Sequence, residues 1–168
     1  MGKGLVPDWY LEKYDDATPE FLSEQGIRYL ILDIDNTVAP YEQAVPDERN
    51  LAWFASLKAA GIRCAFVSNN SYERVELFNR QIGIPMFAPA LKPLRKYMQR
   101  AMMIMGAVPR ETAIMGDQLF TDCLAGRFSG VRTILVPPIK DRRDIFTRFK
   151  RVLEKPFVKA YHKRKERL

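Results

Sequence analysis

Apolar positions along this chain come in two rhythms. Short, nearly continuous runs alternate with longer stretches in which apolar residues recur at helical spacing. The runs Tyr29-Leu30-Ile31-Leu32 (extending to about Ile34), Arg63–Val67, Thr112–Met115 and Thr133–Val136, with a shorter one at Ile84–Phe87, read as strands buried on both faces. Between them, helices are predicted from the residues that cap them and the faces they bury. Thr18-Pro19-Glu20 opens the first, with Thr as cap and Pro at the first helical position, and Gly26 ends it. The second runs from about Pro46 to Ala60 with Leu51, Phe54 and Leu57 on one face. The third begins near Ser71 and buries Val75, Phe78 and Ile82. The fourth opens at Lys92-Pro93 and runs to about Met105, with Met98, Met102, Met103 and Met105 filling gaps in the core. The fifth spans roughly Leu119 to Phe128. Strict alternation of strand and helix predicts a five-stranded parallel sheet with helices on both faces, an α/β fold. Residues 1–17 form a lead-in that lays aromatics on the domain, and residues 140–168 a basic tail beyond the domain of residues 1–139.

Such a sheet gathers its strand ends at one edge, where ligands bind. The ends here carry matching chemistry. The first strand ends in Asp33-Ile34-Asp35-Asn36-Thr37, the second in Ser68-Asn69 and the fourth in Gly116-Asp117, with Asp122 five residues on; Lys92 follows the third. Two acids at i and i+2 on a buried strand repel one another unless a cation, a proton or strong hydrogen bonds offset them. Asp33, Asp35 and Asp117 suit Mg²⁺, a hard ion held by few carboxylates. No His or Cys competes among these strand-end residues, so zinc is disfavoured. Ser68, with Asn69, and the amides that open the next helix can cradle phosphate oxygens, and Lys92 meets the same phosphate as a point charge. Asp122 is placed to hold Lys92 or a metal-bound water, and Thr37 to support the acids from behind. One acid of the pair can attack phosphorus while the other moves protons.

The ordered set Asp33-x-Asp35-x-Thr37, Ser68, Lys92-Pro93 and Gly116-Asp117-x-x-x-x-Asp122 resembles the haloacid dehalogenase superfamily over roughly residues 28–136. The resemblance implies a Rossmann-like domain, with Asp33 as nucleophile, Asp35 as general acid and base, and the Asp35 backbone carbonyl on Mg²⁺. The stretches Asp33–Thr37, Val67-Ser68-Asn69-Asn70-Ser71 and Gly116–Asp122 are further similar to the YqeG-type phosphatases of subfamily IIIA, a family with kinship to phosphatidylglycerophosphatases. That kinship implies phosphatidylglycerophosphate as substrate. Only 30 residues separate Thr37 from Ser68 and 23 separate Ser68 from Lys92, so no cap domain fits and the site is expected to be open.

Charge adds one element to this picture. The chain carries 27 Lys and Arg against 20 Asp and Glu, a net charge of +7. Twelve of the bases and four of the acids fall in residues 140–168. The excess therefore belongs to the tail, where Ile145, Phe146, Phe149, Val152 and Leu153 repeat at helical spacing among bases, Pro156 breaks the pattern, and Phe157, Val158 and Tyr161 continue it. Two readings stand: a basic amphipathic element for an anionic lipid surface, or a stripe that packs on the domain. The last six residues are expected to fray. A phosphoprotein or a nucleic-acid end is the alternative to the lipid headgroup as partner. Cys64 and Cys123 are expected to be reduced core thiols and His162 a surface residue. No secretory signal and no transmembrane run is present, so a cytoplasmic protein, peripheral to the membrane at most, is expected.

Overall fold

The computed structural model describes residues 5–140 and 145–166, the side chains of 145–151 excepted. Six parallel strands form one sheet: β1 Trp9–Tyr10, β2 Tyr29–Leu32, β3 Arg63–Val67, β4 Met86–Phe87, β5 Thr112–Gly116 and β6 Arg132–Leu135, in the order β1-β6-β5-β2-β3-β4. Five were predicted. The sixth is β1, inside the lead-in, where Trp9 pairs with Ile134 and Tyr10 with Leu135. Two residues are too few for periodicity to register. Asp8 anchors this edge, its carboxylate accepting from the Thr133 amide at 2.9 Å and from Arg127 at 3.0 Å.

The sheet has an apolar face on each side, as the period of two requires. Leu30, Leu32, Phe66 and Met115 meet α2 (Glu48–Ala59) and α3 (Tyr72–Asn79) through Trp53, Phe54 and Phe78. Ile31, Ala65, Val67 and Ile114 meet α4 (Lys96–Met105) and α5 (Leu124–Ser129) through Met98, Ala101, Met102 and Ala125. Met103 is a correction: it is 74% exposed, because its place in α4 points away from the sheet while Met98, Met102 and Met105 point in. Thr18 caps α1 (Pro19–Glu24), its hydroxyl accepting from the Phe21 amide at 3.2 Å. Asp47 and Asn50 cap α2 reciprocally.

Two helices depart from expectation next to the strand ends. Lys92-Pro93 does not open α4. A turn closed by Leu94 N–H to the Leu91 carbonyl precedes the helix, which starts at Lys96. Leu91 sits at φ 52° and the Lys92–Pro93 peptide is cis. The fifth helix begins as a wide π-helical turn, Leu119–Cys123, before α5. That turn folds Asp122 back so that its carboxylate accepts from the Gln118 amide at 3.1 Å.

The tail forms α6, Ile145–Lys165. It runs through Pro156 without a break and includes Lys163–Lys165, with Arg164 reaching the Pro7 carbonyl at 3.1 Å. Phe157 and Val158 pack on Leu119, Cys123 and Leu135, and Tyr161 is buried beside Tyr10. The packing alternative therefore holds for the second half of the tail. The side chains of Ile145, Phe146 and Phe149 lie outside the described residues. His162 is exposed and edge-on to Tyr10. Both cysteines are buried free thiols, and burial pushes Cys64 up to about 12. Among the described residues, no helix is long and apolar enough to cross a membrane.

Candidate active site

The carboxyl ends of β2, β3 and β5 and the loop after β4 converge on one cleft of about 250 Å³, lined by Asp33, Asp35, Ser68, Asn69, Asn70 and Lys92, with Tyr41, Gln118 and Thr121 at its sides. A larger groove of about 760 Å³ lies at the opposite edge of the sheet and has no carboxylate in its lining. The chemistry belongs to the smaller one. No domain is inserted between β2 and α2, or between β3 and β4, so among the described residues no cap domain covers it.

Lys92 is the centre of the cleft. Its ammonium lies 2.6 Å from Asp122 Oδ1 and 3.0 Å from Asp33 Oδ1, and it is almost wholly buried. Burial alone pushes an ammonium toward its neutral form, but the two carboxylates outweigh it and hold Lys92 above its ordinary range. Burial likewise pushes the Asp122 carboxyl up while Lys92 pulls it down. The nearby Asp33 charge adds to the effect of burial, so the Asp122 carboxyl stays above its ordinary range despite the short contact with Lys92. The lysine backbone is fixed by Asn69, whose side-chain oxygen accepts from the Lys92 amide at 2.6 Å and whose Nδ2 donates to the Lys92 carbonyl at 3.1 Å. Asn69 thus lines the cleft as expected, but its amide is engaged with Lys92.

Asp33, Asp117 and Asp122 are buried, and one oxygen from each lies within 4.8 Å of the others. Thr37 donates to Asp117 Oδ1 at 3.3 Å. Gly116 makes the approach possible, because a Cβ there would collide with the Asp122 carboxyl. Three carboxylates against one lysine leave an excess of negative charge in a buried place. An oxygen-only donor set of this kind fits a hard divalent cation.

Asp35 is held differently. Asn70 Nδ2 donates to its Oδ2 at 2.7 Å, and Arg74 donates to Oδ1 from Nη2 at 2.9 Å and Nε at 3.2 Å. Burial raises this carboxyl and exceeds the lowering by Asn70 and Arg74. Ser68, fully buried, accepts the Asn70 amide at 3.2 Å and faces the cleft. Sequence reasoning missed Arg74 and Asn70. The signal for Arg74 was its place three residues after the Ser71 cap, one turn into the helix that starts at the cleft. In the loop after β2, Tyr41 lines the cleft, while Glu42 is exposed and lies 3.4 Å from Lys140.

A parallel sheet with paired acids on its central strand and a lysine and further acids on its neighbours defines a HAD-like hydrolase. The HAD-hydrolase-like family profile matches residues 89–148, which include Lys92, Asp117 and Asp122. Solved structures agree on the fold. A cobalt-bound deoxy-D-mannose-octulosonate 8-phosphate phosphatase from Haemophilus influenzae superposes with a TM-score of 0.54 at 16% identity, covering 82% of this chain and 91% of that one. A putative 3-deoxy-D-manno-octulosonate 8-phosphate phosphatase from Vibrio cholerae gives 0.53 at 20% identity, covering 68% and 69%. The probable phosphatase YqeG of Bacillus subtilis is 37% identical over 160 residues, 95% of this chain and 93% of that protein. The chain belongs to this family of HAD phosphatases, and it is an enzyme.

Proposed function

We propose that the enzyme is a Mg²⁺-dependent phosphomonoesterase that converts phosphatidylglycerophosphate to phosphatidylglycerol through a phosphoryl-aspartate at Asp33. The observation that carries the chemistry is Lys92 set between Asp33 and Asp122 at the floor of an open cleft, with Asp117 beside them. Asp33 and Asp117, with the Asp35 backbone carbonyl, would hold the ion. When bound, it offsets the charge between an anionic nucleophile and an anionic phosphate.

The residues divide the rest. Lys92 and the Ser68 hydroxyl take phosphate oxygens, and Asn69 keeps Lys92 in place. An Asp33 oxygen attacks phosphorus, the bond from phosphorus to the lipid oxygen breaks, and protonated Asp35 gives its proton to that oxygen. Water then attacks the phosphoryl-aspartate, its proton passes to the Asp35 carboxylate, and the bond from phosphorus to Asp33 breaks. Inorganic phosphate leaves and Asp35 is protonated again. Thr37 and Asp122 hold Asp117 and Lys92 in position. Catalysis lies in residues 1–139, and the basic segment 140–168 braces them through α6.

The lipid assignment rests on the kinship to phosphatidylglycerophosphatases and on the uncovered cleft, which admits a headgroup presented by a surface. It places the enzyme at the cytoplasmic face of an anionic membrane. The test is phosphate release from phosphatidylglycerophosphate in detergent micelles with Mg²⁺, for the wild type and Asp33→Asn. Turnover that disappears in the variant is expected. Asp33-dependent cleavage of an aryl phosphate with none of the lipid would keep the chemistry and remove the lipid. RNA ends and phosphoproteins would then be the substrates to assay.

A further inference from the structure

The second half of α6 cannot serve as a membrane face, because Phe157, Val158 and Tyr161 are packed against the sheet. The apolar surface around the cleft has no such cover. Leu91 is 62% exposed and Leu94 60%, on either side of buried Lys92. Leu91 also stands in left-handed backbone, which disfavours a leucine, and its side chain gains no burial in return. Arg95 and Lys96 follow, both exposed, with no acid between Leu91 and Lys96. Ile139 is 45% exposed on a segment tied to the end of β2 by the Ile139 amide to the Asn36 carbonyl at 3.1 Å, and Lys140 beside it pairs with exposed Glu42. An apolar and basic stretch, Leu91 with Leu94 to Lys96, thus adjoins the lysine that lines the cleft.

We propose that this stretch is a membrane-docking surface: Leu91 and Leu94 enter the interface of an anionic bilayer while Arg95 and Lys96 meet its headgroups, so the cleft beside Lys92 opens onto the lipid. The inference rests on the reading of the substrate as a phospholipid and assigns the surface that delivers it. Charge selects the occupant. Lys140 is already paired with Glu42 at 3.4 Å, but a neutral apolar partner leaves Arg95 and Lys96 without a counter-charge, whereas an anionic leaflet supplies one and accepts the leucines. Met103 and Phe128 supply the contrast, since they are likewise exposed and line neither of the two clefts described above.

The experiment is co-sedimentation of the full chain with vesicles of phosphatidylcholine and phosphatidylglycerol, and with phosphatidylcholine alone. It compares the wild type, Leu91→Asn with Leu94→Asn, and a control, Met103→Ser with Phe128→Ser. Asparagine tolerates the left-handed backbone at 91. The wild type should favour anionic vesicles by about thirtyfold. The leucine variant should lose at least about tenfold in binding and the control none, with aryl-phosphate hydrolysis retained in both. A wild type that ignores anionic vesicles, or a leucine variant that binds like the wild type, would overturn the proposal. Binding is read without turnover, so failure of phosphatidylglycerophosphate hydrolysis with intact, leucine-dependent sedimentation removes the substrate assignment and not the docking surface.

Discussion

Arg74 grips Asp35 with two of its nitrogens on one carboxylate oxygen, at 2.9 and 3.2 Å, from the first turns of α3. The pair is nearly buried, and a third donor, from Asn70, occupies the other oxygen. Asp35 is thus fixed in direction before substrate arrives. Its proton affinity is set by opposing causes: burial raises it, while Asn70 and then Arg74 lower it. Removing Arg74 removes one of the lowering causes, so the Asp35 carboxyl rises further. Both limbs of the pH–rate profile attributed to this acid and base should move to higher pH in Arg74→Ala. kcat should fall about tenfold through lost orientation, with KM little changed. Arg74→Lys should recover part of the shift without the second hydrogen bond. A profile that stays in place in Arg74→Ala would remove Arg74 from this role.

Removing Lys92 has a different signature. Lys92→Met leaves Asp33, Asp117 and Asp122 buried with no cation among them, which costs about 3 kcal/mol or more in stability. A divalent ion should restore much of this, so the urea midpoint of the variant should depend on Mg²⁺ more steeply than that of the wild type. The wild type should itself gain about 2–3 kcal/mol at Mg²⁺ near a hundred times its dissociation constant. Asp117→Asn should lose that gain. Equal midpoints with and without Mg²⁺ in all three proteins would exclude a divalent site here.

Tyr14 gives a stability prediction away from the cleft. Burial, aided by Asp15, raises its phenol to about 12, and Asn50 donates to its oxygen at 2.9 Å. A phenol whose folded value lies above its unfolded value of about 10 keeps its full contribution below pH 10 and loses it as pH rises toward 12. The expected loss over that window, discounted for solvent screening, is about 1–2 kcal/mol. Tyr14→Phe should flatten this part of the stability–pH curve, measured by urea unfolding.

The central strands, their helices and the polar groups at their ends were legible because each rests on local pattern. Four-residue apolar runs, caps such as Thr18 and Asp47, and acids at strand ends are visible in sequence. What escaped depends on distant contact. β1 exists because Asp8 and Trp9 meet Thr133 and Ile134, more than a hundred residues on. The turn before α4 exists because Asn69 seizes the Lys92 backbone. Pro156 reads as a break locally, yet packing by Phe157 and Tyr161 carries the helix through it. Arg74 was passed over because its one signal, a place one turn after the Ser71 cap, does not say which carboxylate the side chain meets.

Glu154 joins α6 to the cleft. Its buried Oε1 accepts from the Leu119 amide at 2.9 Å, two residues beyond Asp117 and in the turn that presents Asp122. The contact satisfies a backbone donor at the start of the π-helical turn, where no intrahelical acceptor is available. Glu154→Ala should therefore loosen Asp117 and Asp122 together. The Mg²⁺ concentration for half-maximal activity should rise about tenfold or more, with the phosphate-binding groups Ser68 and Lys92 left in place and KM for aryl phosphate at saturating Mg²⁺ little altered. Glu154→Gln keeps an acceptor and should fall between. Deleting residues 141–168 removes this bond and uncovers Leu119, Cys123 and Leu135, so it should also lower stability by about 3 kcal/mol or more. A truncated chain with wild-type stability and Mg²⁺ dependence would show that α6 plays no part in holding the cleft.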